Sequence, residues 1–377
     1  MLDRREFLTA SLAAAIARKA PGAERRAIGE WRNKHEQMAY RRFGRTGFMI
    51  SEMVMGGNTI APDNWEHVLP AMDMGLNYLD TAPAYGKGKS ELGYAHVLKA
   101  RRRDTFFLNT KISLWDDNRS QVYAKIFSSL PESEQKKLRT KALDAIEKRR
   151  VLDPDYLGGY FKSQAGEVHA AALADAVSEK YGDQIDRGKN YRKLIIDSFH
   201  ESLRRLGTDH TDILMCPHGA STPTEILRHP EIFEAFEELK QQGKVRYLGV
   251  SAHSDPAGIL EAAMQAKVYS VAMLAYSIVN HRFMAKQLEK ARKADFGVIA
   301  MKVARPVYNG RGDGTKDDPA RVKLIQDAVP GPIKVPHKAY LWALRNPNLS
   351  GVISELVNLE LVKDNLPLAA AQKSGHA

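Results

Sequence analysis

The sequence predicts an α/β fold, a parallel (β/α)8 TIM barrel preceded by a β-hairpin. Three observations carry that prediction. Short apolar or β-branched runs recur eight times, at residues 51–56, 76–82, 105–111, 211–216, 246–251, 270–276, 296–302 and 349–354. Helical patterns such as "HPEIFEAFEELKQQGK" and "DPAGILEAAMQAK" separate them, and parallel neighbours need crossovers of this kind. Ahead of the first run, "YRRFGRTGFMIS" sets Gly-Arg-Thr-Gly between two alternating stretches. It reads as a hairpin placed to plug the bottom of the barrel.

With 377 residues and 44% apolar content, the chain is long enough for one large core and is neither fibrous nor disordered in composition. A single cysteine, Cys216, excludes an intramolecular disulfide framework and any cysteine-rich zinc or iron–sulfur site. The compartment must therefore be read from the N-terminus, "MLDRREFLTASLAAAIARKAPGA". Paired arginines followed by Phe-Leu and a short apolar run match a twin-arginine export signal over residues 1–22, with Ala15-Ile16-Ala17 as an A-x-A cleavage site. Periplasmic delivery is the expectation. An amphipathic helix kept on a cytoplasmic protein is the alternative.

Net charge is +11, but the first 46 residues hold 11 Lys/Arg against 5 Asp/Glu. More than half the surplus therefore lies in the leader and the segment after it. Without aromatic residues interleaved among the cations, no nucleic-acid partner is expected, and no stretch of the mature chain is long enough to span a membrane.

One interval breaks the barrel rhythm. Residues 112–210 are far more than one loop and one helix require. "DSFHESLRRLGTDH" supplies the helix leading into the fourth strand, and residues 113–189, charged and helix-prone, read as a helical insertion within a barrel domain of 38–377. A loop after a barrel strand opens on the C-terminal face, so the insertion is expected to cover the mouth, with a pad on the outer wall as the alternative.

The chemistry-bearing residues stand at strand tips. Asp80 and Tyr85 follow the second strand, Lys111 ends the third in "TFFLNTK", and His218 follows the fourth in "DILMCPH". Each taken singly has an ordinary role open to it: a helix cap, packing, a rim ion pair, a satisfied buried histidine. Together they form a proton donor with three groups able to tune it. A neighbouring ammonium favours phenolate and lowers the tyrosine, while a carboxylate holds the lysine. Such a set suits protonation of a carbonyl oxygen as hydride reaches its carbon. One histidine and one carboxylate are too few for a catalytic metal, and no serine nucleophile beside a histidine is visible.

From residue 40 to residue 366, apart from the insertion, the chain resembles the aldo-keto reductases. "YRRFGRTGFMIS" is similar to that family's opening hairpin, and "GLNYLDTAPAYGKGKSELG" to its most diagnostic stretch. The resemblance implies that Tyr85 is the general acid/base, that Lys111 and Asp80 tune it, and that His218 orients the carbonyl. It also implies an NADP or NAD cofactor. "GVSAHS" resembles the segment holding the nicotinamide amide, here Ser251, although Ala252 stands where many members have asparagine. "LAYSIVNHR" resembles the segment with the aromatic stacker, here Tyr276, with Met273 in the usual glutamine place. "VISELVNLELVKDNL" aligns with the adenosine-phosphate segment, giving Ser354, Asp364 and Asn365. Val357 stands in the basic position and Glu355 adds an anion, which by charge favours NAD, or else moves phosphate binding to cations such as Lys302 and Arg305. "GKGKSELG" lacks the strand–turn–helix setting of a Gly-rich dinucleotide fingerprint.

The expected function is a nicotinamide-dependent oxidoreductase interconverting a carbonyl, in an aldehyde, ketone or sugar, with an alcohol; polyols belong to the same substrate class. The alternative is a weakly catalytic or non-catalytic barrel acting as an interaction module through its insertion.

Overall fold

The computed structural model describes residues 29–112, 114–310 and 316–373. The export signal expected at residues 1–22 lies outside the described residues. Eight parallel strands close a barrel: β1 Met53–Met55, β2 Tyr78–Asp80, β3 Phe107–Lys111, β4 Thr211–His218, β5 Val245–Ala252, β6 Val271–Ala275, β7 Gly297–Met301 and β8 Gly351–Ser354. Each pairs with the next, and β8 returns to β1 through Val352 opposite Met53. Each of the eight predicted runs overlaps one of these strands; six contain theirs whole, while β4 and β5 extend past the ends of theirs.

Side-chain alternation along the strands builds two cores. Phe107, Ile213, Met215, Val271, Met273, Ile299 and Met301 fill the barrel interior, whereas Leu108, Leu214, Leu248, Ala272 and Leu274 face the helices. The hairpin closes the bottom as expected. Tyr40–Arg42 and Phe48–Ser51 pair antiparallel around a tight turn at Gly44–Thr46. Phe48 stacks on Phe107 with centroids 4.3 Å apart, and Phe43 meets Tyr78 edge-on at 5.6 Å. Both phenylalanines are fully buried, which stabilises the plug by roughly 1.5–3 kcal/mol each. Gly44 has φ +53, and a Cβ there would meet the Gly297 nitrogen at 2.2 Å. The hairpin therefore seats against β7 only because that position carries no side chain.

A third strand, Glu30–Trp31, adds parallel to Phe48–Ser51. Two residues carry no alternation, so the sequence did not announce it. Charge holds it instead. Buried Asp212 on β4 faces Arg32 at 3.1 Å, Arg103 at 2.7 Å and Arg246 at 3.1 Å, and Arg246 reaches Glu30 at 2.6 Å.

The long interval after β3 is helical: Leu114–Ser129, Glu132–Arg149, the single turn Pro154–Leu157, and Gln164–Tyr181. Lys193–Leu206 then serves as the crossover into β4. Leu138, Ala142 and Ile146, each four residues apart, form the buried face of the second helix, the helical spacing of an amphipathic segment. Asp153 caps the short turn, accepting from the Asp155 nitrogen with Pro154 at its first position, and Gly158 at φ +79 ends it.

That short turn meets the loop after β5. Tyr156 Oη donates to Asp255 Oδ1 at 2.7 Å, Arg149 pairs with Asp255, and the Phe161 ring lies edge-on to His253 at 5.4 Å. Asp255 and His253 belong to the loop after β5. The segment after β3 is thus in contact with the loop that follows a strand two places round the barrel. Among the described residues no helix is long and apolar enough to cross a membrane.

Candidate active site

Asp80 and Lys111 end neighbouring strands, with Asp80 paired in register to Asn109. Period-two alternation puts Asn109 and Lys111 on one face of β3, so both reach Asp80. Asn109 Nδ2 donates to Asp80 Oδ1 at 2.9 Å, and Lys111 Nζ forms an ion pair with the same carboxylate. The ammonium also donates to the Thr81 carbonyl at 2.9 Å and to Tyr85 Oη at 3.1 Å. Tyr85 Oη lies 3.5 Å from Asp80 Oδ2. The 0% exposure of Lys111 and 1% of Asp80 make this a charged pair kept in place by directional partners.

Gly57 explains how the loop after β1 approaches Asp80 so closely. A Cβ there would sit 2.0 Å from the Asp80 carbonyl oxygen. Ser90 Oγ donates to the Gly57 carbonyl at 2.7 Å and contacts Thr81 Oγ1 at 2.7 Å, which fixes the loop that carries Tyr85.

His218 arrives by an irregularity in β4. Met215 pairs with Gly249 and His218 with Ser251, so three steps on β4 oppose two on β5, and a bulge of this kind re-aims the side chain beyond it. The His218 ring lies edge-on to Tyr85 with centroids 5.9 Å apart. Three residues from three strand ends, Asp80, Lys111 and His218, therefore surround the Tyr85 phenol.

Protonation follows from burial first. Burial, then the charges of Asp80 and Glu355, push the Tyr85 phenol well above its ordinary value. Sequence reasoning expected Lys111 to lower it; two carboxylates and desolvation outweigh the ammonium, so Tyr85 is a protonated donor. Burial draws Lys111 below its usual value against the opposing pull of Asp80. His218 falls well below the usual imidazole value through burial, then the nearby Lys111, His253 and Lys302, and is neutral near neutral pH.

The remaining predicted residues divide into two groups. Ser251 is buried at the tip of β5 opposite His218, and Lys302 follows β7 half-buried. Ser354 Oγ donates to Tyr340 Oη and accepts from Asn365 Nδ2, both at 3.1 Å. Asp364 pairs with Lys334 at 2.9 Å and His337 at 3.1 Å. Tyr276 goes elsewhere. Met273 points into the barrel, so alternation sends Tyr276, three residues on, outward with Leu274, where its ring stacks on Trp342 at 5.4 Å and its Oη accepts from Asn346. That placement corrects the expectation of a stacking ring in the pocket.

Sequence reasoning missed Asn109, His253, Lys334 and His337. Asn109 was legible two residues before Lys111, and His253 two residues after Ser251. Lys334 and His337 precede β8 with no local signal for their role.

The donor set at the ends of β5, β7 and β8 comprises two hydroxyls, an amide and several cations. It matches the amide and phosphate groups of a nicotinamide dinucleotide. Among the described residues there is no cluster of three or more His, Cys, Asp or Glu able to hold a metal.

A closed parallel barrel thus gathers Asp80, Tyr85, Lys111 and His218 at three adjacent strand tips. The aldo/keto reductase family model matches residues 52–151 and 160–374, and the chain belongs to the aldo/keto reductase family. It is 22% identical over 358 residues to the uncharacterized oxidoreductase YqkF of Bacillus subtilis, covering 89% of this chain and 92% of that one. It is 24% identical over 268 residues to the NADH-specific methylglyoxal reductase of Escherichia coli, covering 70% of this chain and 60% of that one. Among solved structures, the holo form of aldo-keto reductase AKR11C1 from Bacillus halodurans superposes with a TM-score of 0.58 at 22% identity, over 90% of this chain and 95% of that one. The family match passes over only residues 152–159 between its two parts, the stretch that crosses to the loop after β5.

Proposed function

We propose that the chain reduces an aldehyde or ketone carbonyl with NAD(P)H, Tyr85 giving the proton. The observation that carries this is Lys111 Nζ held by Asp80 and the Thr81 carbonyl while it donates to Tyr85 Oη at 3.1 Å. A nicotinamide dinucleotide supplies and accepts hydride when bound; Ser251, Lys302, Ser354 and Asn365 are the residues that would hold it. Tyr85, protonated at neutral pH, hydrogen-bonds the carbonyl oxygen and delivers its proton there. Lys111 steadies the developing phenolate, and neutral His218 donates to the same oxygen and orients it. In the reverse direction Tyr85 takes the proton back.

Three finer readings accompany this one. The helices at 114–181 act as a lid, supported by the contacts of Tyr156 and Phe161 with the loop after β5; a closed mouth excludes water from the proton transfer. Glu355 and Val357 favour NAD over NADP, a choice in keeping with the relative named as NADH-specific. The paired arginines at residues 4 and 5 support export, where a polar sugar or polyol is a fitting substrate. The test is consumption of NADH and NADPH against a panel of aldehydes, ketones and aldoses, with Tyr85→Phe alongside. Turnover lost in Tyr85→Phe with cofactor binding kept is expected; equal rates in both proteins would overturn the assignment.

A further inference from the structure

Tyr85 is followed by three consecutive residues with left-handed backbone: Gly86 at φ +57, Lys87 at φ +54 and Gly88 at φ +89. Such a conformation is costly for a residue with a Cβ, as Lys87 has, and it persists only where the surrounding structure over-determines it. Gly86 and Lys87 are exposed. The hold therefore comes from the buried end of the run, Gly88.

Arg205 supplies that hold. A Cβ at Gly88 would meet Arg205 Cδ at 2.9 Å and Nε at 3.1 Å, so the arginine lies directly against the turn. Its Nε donates to Glu91 Oε2 at 2.6 Å and its Nη2 to Ser202 Oγ at 3.2 Å. Glu91 is fully buried, and its other oxygen accepts from Thr110 Oγ1 at 2.6 Å. Thr110 immediately precedes Lys111 on β3 and, by alternation, lies on the face opposite to it. Three elements thus meet at one carboxylate: the helix Lys89–Ala100 that follows Tyr85, the strand that carries Lys111, and the crossover helix Lys193–Leu206.

Ser90 ties the same turn to Thr81 and Gly57, and Glu91 ties it to β3, so the turn is located against both strands whose tips face the phenol. The Glu91 charge helps in a second way. Burial draws the Lys111 amine down, and Asp80 and then Glu91 oppose that fall, which favours the ammonium.

We propose that Arg205, acting through Glu91, is a positioning residue for carbonyl reduction: the bridge to Thr110 fixes the turn after Tyr85 so that the phenol stands 3.1 Å from Lys111 Nζ. This rests on the oxidoreductase reading. Misplacing a reacting group by about 1 Å can cost on the order of a hundred-fold in rate.

The experiment compares wild type, Arg205→Met, Glu91→Ala and Glu91→Gln. Glutamine accepts from Arg205 with its oxygen and donates to Thr110 with its amide, so it keeps the bridge without the charge. Carbonyl reduction with NADH and NADPH is measured where circular dichroism shows each variant folded, alongside cofactor Kd by fluorescence titration. Arg205→Met, at a partly exposed position, keeps the test open should Glu91→Ala not fold. Crystal structures of wild type and Arg205→Met give the distance from Tyr85 Oη to Lys111 Nζ. Arg205→Met and Glu91→Ala are expected to lower kcat roughly ten- to a hundred-fold, with KM and cofactor Kd held within about two-fold. Glu91→Gln should keep most of the wild-type rate, and the distance should lengthen in Arg205→Met. In a Tyr85→Phe background Arg205→Met should cost nothing further, because both act through one group. Equal losses in the two backgrounds, an unchanged kcat or an unchanged distance would each overturn the proposal and leave the bridge a stabilising contact. A loss in Glu91→Gln as deep as in Glu91→Ala would overturn it in favour of charge acting on Lys111. If wild type reduces no carbonyl, the oxidoreductase reading fails, and the distance in Arg205→Met still decides whether the bridge positions Tyr85.

Discussion

Lys111 Nζ lies 3.1 Å from Tyr85 Oη and 4.6 Å from the centre of the Tyr85 ring, and the same ammonium is the ion-pair partner of Asp80. A phenol positioned by a buried cation is a proton donor with one fixed direction. Replacing Tyr85 by phenylalanine keeps the ring and its edge-on contact with His218 while removing the proton. We expect kcat for carbonyl reduction to fall roughly a hundred- to ten-thousand-fold, the usual worth of a general acid, with NAD(P)H affinity unchanged. Steady-state kinetics with fluorescence titration of the cofactor tests both halves, and a loss confined to cofactor affinity would remove Tyr85 from the chemistry.

Lys111 and Asp80 are each intelligible only with the other. Lys111→Met leaves the Asp80 carboxylate buried without its cation, a change costing about 3–5 kcal/mol. The double variant Asp80→Asn/Lys111→Met removes both charges and should recover most of that loss in thermal unfolding while remaining inactive. A double variant no more stable than the single one would show that Asp80 does not depend on Lys111 for its burial.

The pH profile follows from directions of shift. Tyr85 is raised well above its ordinary value and His218 lowered well below its own, so the phenol stays protonated and the imidazole neutral between about pH 6 and pH 9, given reference values near 10 and 6.5. Reduction should therefore be flat across that range. Alcohol oxidation needs the phenolate and should climb with pH. A half-maximal point near pH 7 in the reduction direction would mean that one of these groups titrates where the geometry says it does not.

Much of this was written locally in the chain. Each barrel strand is a short apolar run flanked by helical sequence, and Asp80, Lys111 and His218 fall where such runs stop, so period and position together located the centre of the site. What spans distance was less visible. Tyr156 and Asp255 meet from the segment after β3 and the loop after β5, and no local pattern marks those two as neighbours. Glu30–Trp31 is too short to alternate and is held by arginines from three separate segments. Tyr276 is the instructive case: Met273 facing the barrel already implied that a residue three positions on faces the helices, and the motif likeness overrode that parity.

Asp212 gives the fold its sharpest electrostatic dependence. Burial alone would raise its carboxyl, yet the guanidiniums of Arg103 and Arg32, with the Leu108 amide donating at 3.0 Å, hold it below its usual value. A carboxylate depressed on folding contributes stability that is fully present above its unfolded value of about 3.9 and is lost as pH falls through its lower folded value. Asp212→Asn removes the charge and leaves Arg32, Arg103 and Arg246 facing one another beneath β4, where the N-terminal strand Glu30–Trp31 docks. We expect it to lower stability at pH 7 by about 3–5 kcal/mol, as when one partner of a buried pair is lost, and to flatten the acid limb of the stability curve. Urea unfolding of both proteins from pH 7 down to about pH 3 measures this; two parallel curves would mean that the three arginines draw their stabilisation from Glu30 rather than from Asp212.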